Sequence, residues 1–194
     1  MAKKDMASAA PLALLCFGMT TALAMMALIL ALNNDDPNIL TDAQLKPLKW
    51  AMGGTIQLVS GFVELYREDL FHGTVFASYG CFWIAASQGA GCQAYFHAWG
   101  VLSTAFTIVA LRHSYAGAVL LAGVAITLFL LGAGSSDPAN PHVLKAGGWV
   151  GFWMGVLAGY CAFAPIIKET YGITLPGITQ LHEKDFQQCE ECYC

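Results

Sequence analysis

The chain has 194 residues, 57% of them hydrophobic and only 11% charged; a soluble domain carries about 25% charged residues, so this composition points to a lipid environment. A formal net charge of −4 with nine Lys and Arg leaves no basic face to neutralise phosphates, and nucleic acid is excluded as a partner. The seven cysteines are odd in number, and Cys16, Cys81 and Cys161 lie in apolar runs, which is not the pattern of a secreted disulfide framework.

Six apolar runs follow one another, at about 9–32, 48–66, 73–87, 94–111, 116–134 and 144–167. A helix needs about 20 residues to cross a hydrocarbon core of about 30 Å, so five runs qualify and the third does if it starts near Phe71. The expected fold is an all-α integral membrane protein with six transmembrane helices per protomer.

The first run follows Lys3 and Lys4 and contains Ala22-Leu23-Ala24, which a signal peptidase could accept. A signal peptide has an apolar core of about 7 to 15 residues, whereas this run continues from Met25 through Leu30. It is expected to stay as the first membrane helix. The connections NNDDPN, REDLFH, SQGAGCQ, RHSY and SSDPANPH are too short to hold a further domain.

Six spans put both ends of the chain on one side. Lys3, Lys4, Arg67, Arg112, Lys168 and Lys184 share that side, against Lys46, Lys49 and Lys145 opposite, and the positive-inside rule makes it the cytoplasmic one. The organisation expected is a cytoplasmic N-terminus at 1–8, a six-helix membrane domain at 9–167 and a cytoplasmic tail at 168–194.

With Lys49 and Lys145 counted as flanking loop charges, the spans hold no Lys, Arg or Asp, and Glu64 is their one carboxylate. Intramembrane charges usually mark ion relays, so a charge-relay pump has little to work with. An anion would have to be met by hydroxyls, amides and helix N-terminal N–H groups, or be neutralised by a proton. Thr20, Thr21, Thr55, Gln57, Ser60, Thr74, Ser78, Ser103, Thr104, Thr107 and Thr127 supply such groups. For any one of them the ordinary role is a bond to the carbonyl four residues back, or to a neighbouring helix.

Two faces stand out. Gly53, Gln57, Ser60 and Glu64 step by four, three and four along one side of the second span, which suits either inter-helix hydrogen bonding or the lining of a wet cavity. Gly147, Gly151, Gly155 and Gly159 form a stripe on the sixth span, where missing side chains let two helix backbones approach. Packing is the role expected of them.

His72, His97, His113 and His142 fall at or near span ends and read as interfacial residues rather than haem ligands. The tail CEECYC, with Cys189, Cys192 and Cys194, lacks the two separated ligand pairs of a zinc site. No metal, cofactor or catalytic residue is expected, and the chain does not read as an enzyme.

Several segments in order resemble the acetate uptake transporter family, which includes the bacterial succinate-acetate permease and fungal acetate permeases. They are Ser8-Ala9-Ala10-Pro11-Leu12-Ala13-Leu14 followed by Phe17-Gly18-Met19-Thr20-Thr21, then a Gly-Gly pair with Gln57, Gly61 and Glu64. Phe71, Thr74, Phe76 and Ser78-Tyr79-Gly80 with Phe82-Trp83 come next, then Trp99-Gly100, Lys145-Ala146-Gly147-Gly148 and Tyr171-Gly172-Ile173-Thr174-Leu175-Pro176. The resemblance covers about residues 7–177.

It implies a six-helix protomer assembled as a homo-hexamer in a lipid bilayer, passing acetate and related short carboxylates such as succinate by proton symport or as a channel. It also implies an apolar constriction made by Phe17, Tyr79 and an aliphatic residue of the fifth span, best matched by Val124. Thr20, Thr21 and Ser78, with Gln57 and Thr74, become candidate substrate contacts. Where the family has Asn, Pro and Gly, this chain has Ser8, Ala9 and Ala13; Ser8 retains a hydroxyl able to cap the first helix. The plasma membrane is favoured over an organelle membrane. Alternatives are a channel for ammonia or another small neutral solute, and a membrane scaffold subunit that transports nothing.

Overall fold

The structure is a computed structural model and describes residues 6–33 and 40–178. These residues contain helices and no strands. In chain order they are α1 (Ala10–Leu32), α2 (Asp42–Leu48), a π-helical segment (Lys49–Ile56), α3 (Gln57–Tyr66), α4 (Leu70–Ser87), α5 (Gln93–Ala110), α6 (Tyr115–Gly134) and α7 (Pro141–Tyr171). The expectations placed on 1–5 and on the Cys189, Cys192 and Cys194 tail lie outside the described residues.

Helix boundaries follow local chemistry. Thr41 and Gln44 form a reciprocal capping box at α2. Asp69 caps α4, Ser114 caps α6, and Asn140 caps α7 by accepting from the backbone N–H of His142 and Val143. At the far end of α7, Gly172 takes the left-handed conformation at φ 71° that closes helices.

The second run departs from expectation. Its helix begins at Asp42 rather than near 48 and carries an eight-residue π segment in its middle. Pro47 sits two residues before that segment and cannot donate to the carbonyl four residues back, so the ladder has to re-register there. The third run gains its length at the front, where α4 starts at Leu70.

α1, α6 and α7 are long and apolar enough to cross a membrane by length and composition. Large apolar side chains such as Val59, Phe62, Val101, Ile126 and Trp153 stay exposed around the outside, which is the surface a lipid-embedded protein presents.

Packing runs in a closed series. α1 lies against α7 on one side and against the π segment and α3 on the other; α3 packs on α4, α5 on α6, and α6 on α7. The backbones of α4 and α5 are held apart, and aromatic side chains fill the gap: Phe82 stacks on Tyr95 at 5.5 Å, and Tyr79 meets Trp99 at 6.0 Å.

Elsewhere glycine removes the gap altogether. A Cβ on Gly155 would stand 2.7 Å from the backbone nitrogen of Ala22, and one on Gly18 would stand 2.7 Å from the carbonyl oxygen of Gly155. The glycine stripe therefore faces α1, and further along it Gly147 meets α6. Gly159, the last of the four, looks onto open space.

Candidate functional site

Phe17 of α1, Tyr79 of α4 and Val124 of α6 come from three different helices and are all buried in one core cluster. The rings of Phe17 and Tyr79 lie 5.4 Å apart, tilted by 59°. Tyr79 also contacts the ring of Phe106 at 6.2 Å.

The phenol of Tyr79 is already engaged. Ser103 has one hydroxyl proton, which it donates to the Trp99 carbonyl at 2.7 Å, so in the 2.7 Å contact between the two side chains Tyr79 is the donor. What Tyr79 turns toward Phe17 is its ring.

The hydroxyls separate into two groups. Ser60, Thr74, Ser103, Thr104, Thr107 and Thr127 each donate to the carbonyl four residues back. Thr20 and Thr21 do not: both are buried, and neither Oγ1 has a hydrogen-bond partner. The Gln57 Oε1 and the Trp83 Nε1 are buried and unpartnered as well. Gly53 brings two of these together, since a Cβ there would touch the side chains of both Thr20 and Trp83 at 2.8 Å. A cluster of polar atoms without protein partners is what a transient polar ligand or water would satisfy.

Two cavities open beside the Phe17, Tyr79 and Val124 level. The first, about 380 Å³, is lined by those three residues together with Thr21, Trp83, Asp42 and Lys49, and extends toward Gly89 and Ser135. The second, about 290 Å³, lies the other way along the same helices: Ser8 and Leu14 of the first stretch, His72 and Val75 of α4, and Gly117 and Leu121 of α6 line it. Along each of these helices, Phe17, Tyr79 or Val124 is the first-cavity residue nearest to those that line the second.

Of the residues expected at a substrate path, Thr21 lines the first cavity, Thr20 meets the wall residue Trp83 beside Gly53, and Gln57 is buried without lining either cavity. Thr74 is exposed and bonded to the Leu70 carbonyl, and Ser78 is half-buried; neither lines either cavity.

Three features were not anticipated from the sequence. Lys49, counted there as a loop charge, is 7% exposed and faces the first cavity, paired with Asp42. Trp83 contributes an unpartnered indole N–H to the same wall. Glu64 clamps the start of α1: it accepts from the Ser8 hydroxyl at 2.8 Å and from the backbone N–H groups of Ala9 and Ala10, while Arg67 Nε donates to its other oxygen at 3.2 Å. Ser8 thus stands one residue before the N-cap Ala9, yet its hydroxyl accepts from the Ala10 N–H at 3.1 Å, while the charge meeting the helix N-terminus belongs to Glu64.

At the second cavity, His72 Nδ1 donates to Asp69 Oδ2 at 2.8 Å, and the His113 ring lies 6.0 Å from that of His72. The hydrogen bond from His72, reinforced by its charge, holds the Asp69 carboxyl below its ordinary range against the opposing effect of burial. Among the described residues no group of His, Cys, Asp and Glu is arranged to hold a metal ion.

The same architecture occurs in solved structures. The structure of the bacterial acetate channel SatP matches with a TM-score of 0.78 at 25% identity, covering 89% of this chain and 99% of that one. In sequence the chain is 29% identical over 199 residues to the succinate-acetate/proton symporter SatP of Escherichia coli K12, spanning 94% of this chain and all of the relative. It is also 29% identical over 195 residues to acetate permease A of Emericella nidulans, spanning 86% of this chain and 64% of the permease. Residues 1–94 and 88–181 match the GPR1/FUN34/yaaH family, and with nearly the whole chain accounted for, it belongs to that family.

Proposed function

We propose that the protein carries acetate and related short-chain carboxylates across a membrane, through a path that joins the two cavities at Phe17, Tyr79 and Val124. The observation that carries this reading is the pair of cavities on either side of that level. The named activities of its relatives support the solute. No covalent chemistry and no resident cofactor enter the reading.

An apolar aromatic neck is a barrier to a hydrated anion, since carboxylate water must be shed where little replaces it. The unpartnered Thr21 and Trp83 groups line the first cavity beside that barrier and Thr20 adjoins Trp83, where they would replace part of the lost hydration. Protonation of the solute would lower the barrier further, which is how a proton gradient would drive uptake. Thr74 and Ser78 stand off this path and are left out of it.

The membrane arrangement in this reading has six spans: α1, the continuous run from α2 through α3, then α4, α5, α6 and α7. Both termini face the cytoplasm, with residues 1–8 and 168–194 flanking the 9–167 membrane domain. The protomers assemble as a homo-hexamer, each with its own path, and the plasma membrane is the site of action.

Purified protein in proteoliposomes should take up labelled acetate well above empty vesicles, faster with an inward proton gradient, and excess ammonium should leave the uptake unchanged. Uptake no greater than in empty vesicles, or an ammonium flux that acetate does not affect, would sink the reading.

A further inference from the structure

We propose that Lys49 is a carboxylate-binding group in the wall of the first cavity, and that Asp42 is its resident counter-ion, which an incoming monocarboxylate displaces. This deepens the carboxylate-transport reading and rests on it for the identity of the ligand.

Lys49 is the only cation lining the cavity among the described residues, and Asp42 the only anion. The two stand seven residues apart, about two helical turns, so they share a helix face. The lysine stem can then run back toward the helix N-terminus, the direction in which helical side chains lean. Pro47 and the start of the π segment lie between and beside them, and Lys49 is the first residue of that segment.

The pair is asymmetric. The Lys49 side chain is 9% exposed, whereas that of Asp42 is 69% exposed. A buried ammonium without a counter-charge is costly, so Lys49 keeps an anion beside it at all times. Asp42, open to water, loses little when it swings away. An ammonium has three donors, and among the described residues Asp42 Oδ1 is the one acceptor it meets. The geometry therefore provides a fixed buried cation and an exchangeable carboxylate.

The rest of the wall suits the same ligand. Thr21 and Trp83 line the cavity, each more than nine-tenths buried, and Thr21 Oγ1 and Trp83 Nε1 lack partners. Ala24, Leu28 and Met154 make much of the remaining surface, which matches a short alkyl group. One positive charge, neutral donors and an apolar wall describe a site for a small monocarboxylate. A dicarboxylate would bring a second charge into a space where Asp42 remains close by, and like charges repel in a low-dielectric site. Asp42 thus weighs against diacids.

Binding of labelled acetate to the purified full-length protein in detergent separates this proposal from the transport reading, because it needs no flux. Lys49→Gln should raise the acetate Kd roughly tenfold, equivalent to about 1.4 kcal/mol, while Lys49→Arg holds it near the wild-type value. Asp42→Asn should tighten acetate binding and let succinate compete. That second variant also covers the case in which Lys49→Gln does not fold: a merely structural ion pair predicts weaker binding on losing Asp42, the opposite sign.

Unchanged acetate affinity in a folded Lys49→Gln, weaker binding in Asp42→Asn, or no saturable binding to wild type would each overturn the proposal. Flux that persists with a Lys49-independent Kd overturns it alone. Lys49-dependent binding without any flux upholds it and overturns the transport reading instead.

Discussion

Tyr79 donates its phenol proton to Ser103, and Ser103 passes its own to Trp99, so a buried hydroxyl that would otherwise solvate a passing anion is committed within the protein. The ring remains as an apolar surface against Phe17. Thr20 and Thr21, on the next turn of α1, keep their hydroxyls free of protein acceptors. Composition could point to hydroxyls as a class, but which ones return to their own helix depends on side-chain rotamers that spacing does not encode.

Asp69 carries a pH prediction at this scale. Its folded-state pKa is lowered by His72, so its contribution to stability is present above the unfolded carboxylate value of about 3.9 and is lost as pH falls through the lowered folded value. Thermal unfolding in detergent should show the midpoint falling below about pH 4. Asp69→Asn, which preserves a good N-cap residue, should shed part of that acid dependence; an identical pH profile would contradict the assignment.

At the scale of elements, α1 is positioned by contacts at both ends. Its start is held by Glu64, whose carboxylate meets two backbone N–H groups and the Ser8 hydroxyl, and its far end by a hydrogen bond from Lys145 Nζ to Asn33 Oδ1. The polar row Gly53, Gln57, Ser60 and Glu64 was legible as one face, and all four are buried. That Glu64 reaches the neighbouring helix's N-terminus was not, because it depends on how two helices distant in sequence are docked. The π segment was hidden for a related reason: Pro47 signals a break in the ladder without saying how the helix resumes.

The glycine stripe permits a sharper statement than its spacing did. Gly155→Ala places a methyl against the backbone of α1 and should destabilise the protein by about 1 to 3 kcal/mol, the usual range for overpacking. Gly159→Ala meets nothing and should leave stability unchanged or raise it by up to about 1 kcal/mol through helix propensity. Thermal midpoints of the two purified variants provide the check, and equal effects would mean that the α1 to α7 contact is looser than described.

Across the whole molecule, the order of apolar runs carried most of the fold, since helices need only length, hydrophobicity and caps to be recognised. The ordered motifs carried the family. The cavities were not legible, because a cavity is the space left between helices, and Lys49 was hidden by its position at the edge of an apolar run, where a lysine usually reaches out to water. The helices form a series closed on one side by glycine and on another by aromatics, with the apolar level of Phe17, Tyr79 and Val124 beside two cavities. In the proposed function, solute passes that level. The most direct test is the initial rate of labelled acetate uptake into proteoliposomes for wild type, Phe17→Ala and Tyr79→Phe at matched protein content. Widening the neck in Phe17→Ala should change the rate several-fold, while Tyr79→Phe, which keeps the ring and loses only the bond to Ser103, should stay close to wild type; a Phe17→Ala rate equal to wild type would contradict passage between these two residues.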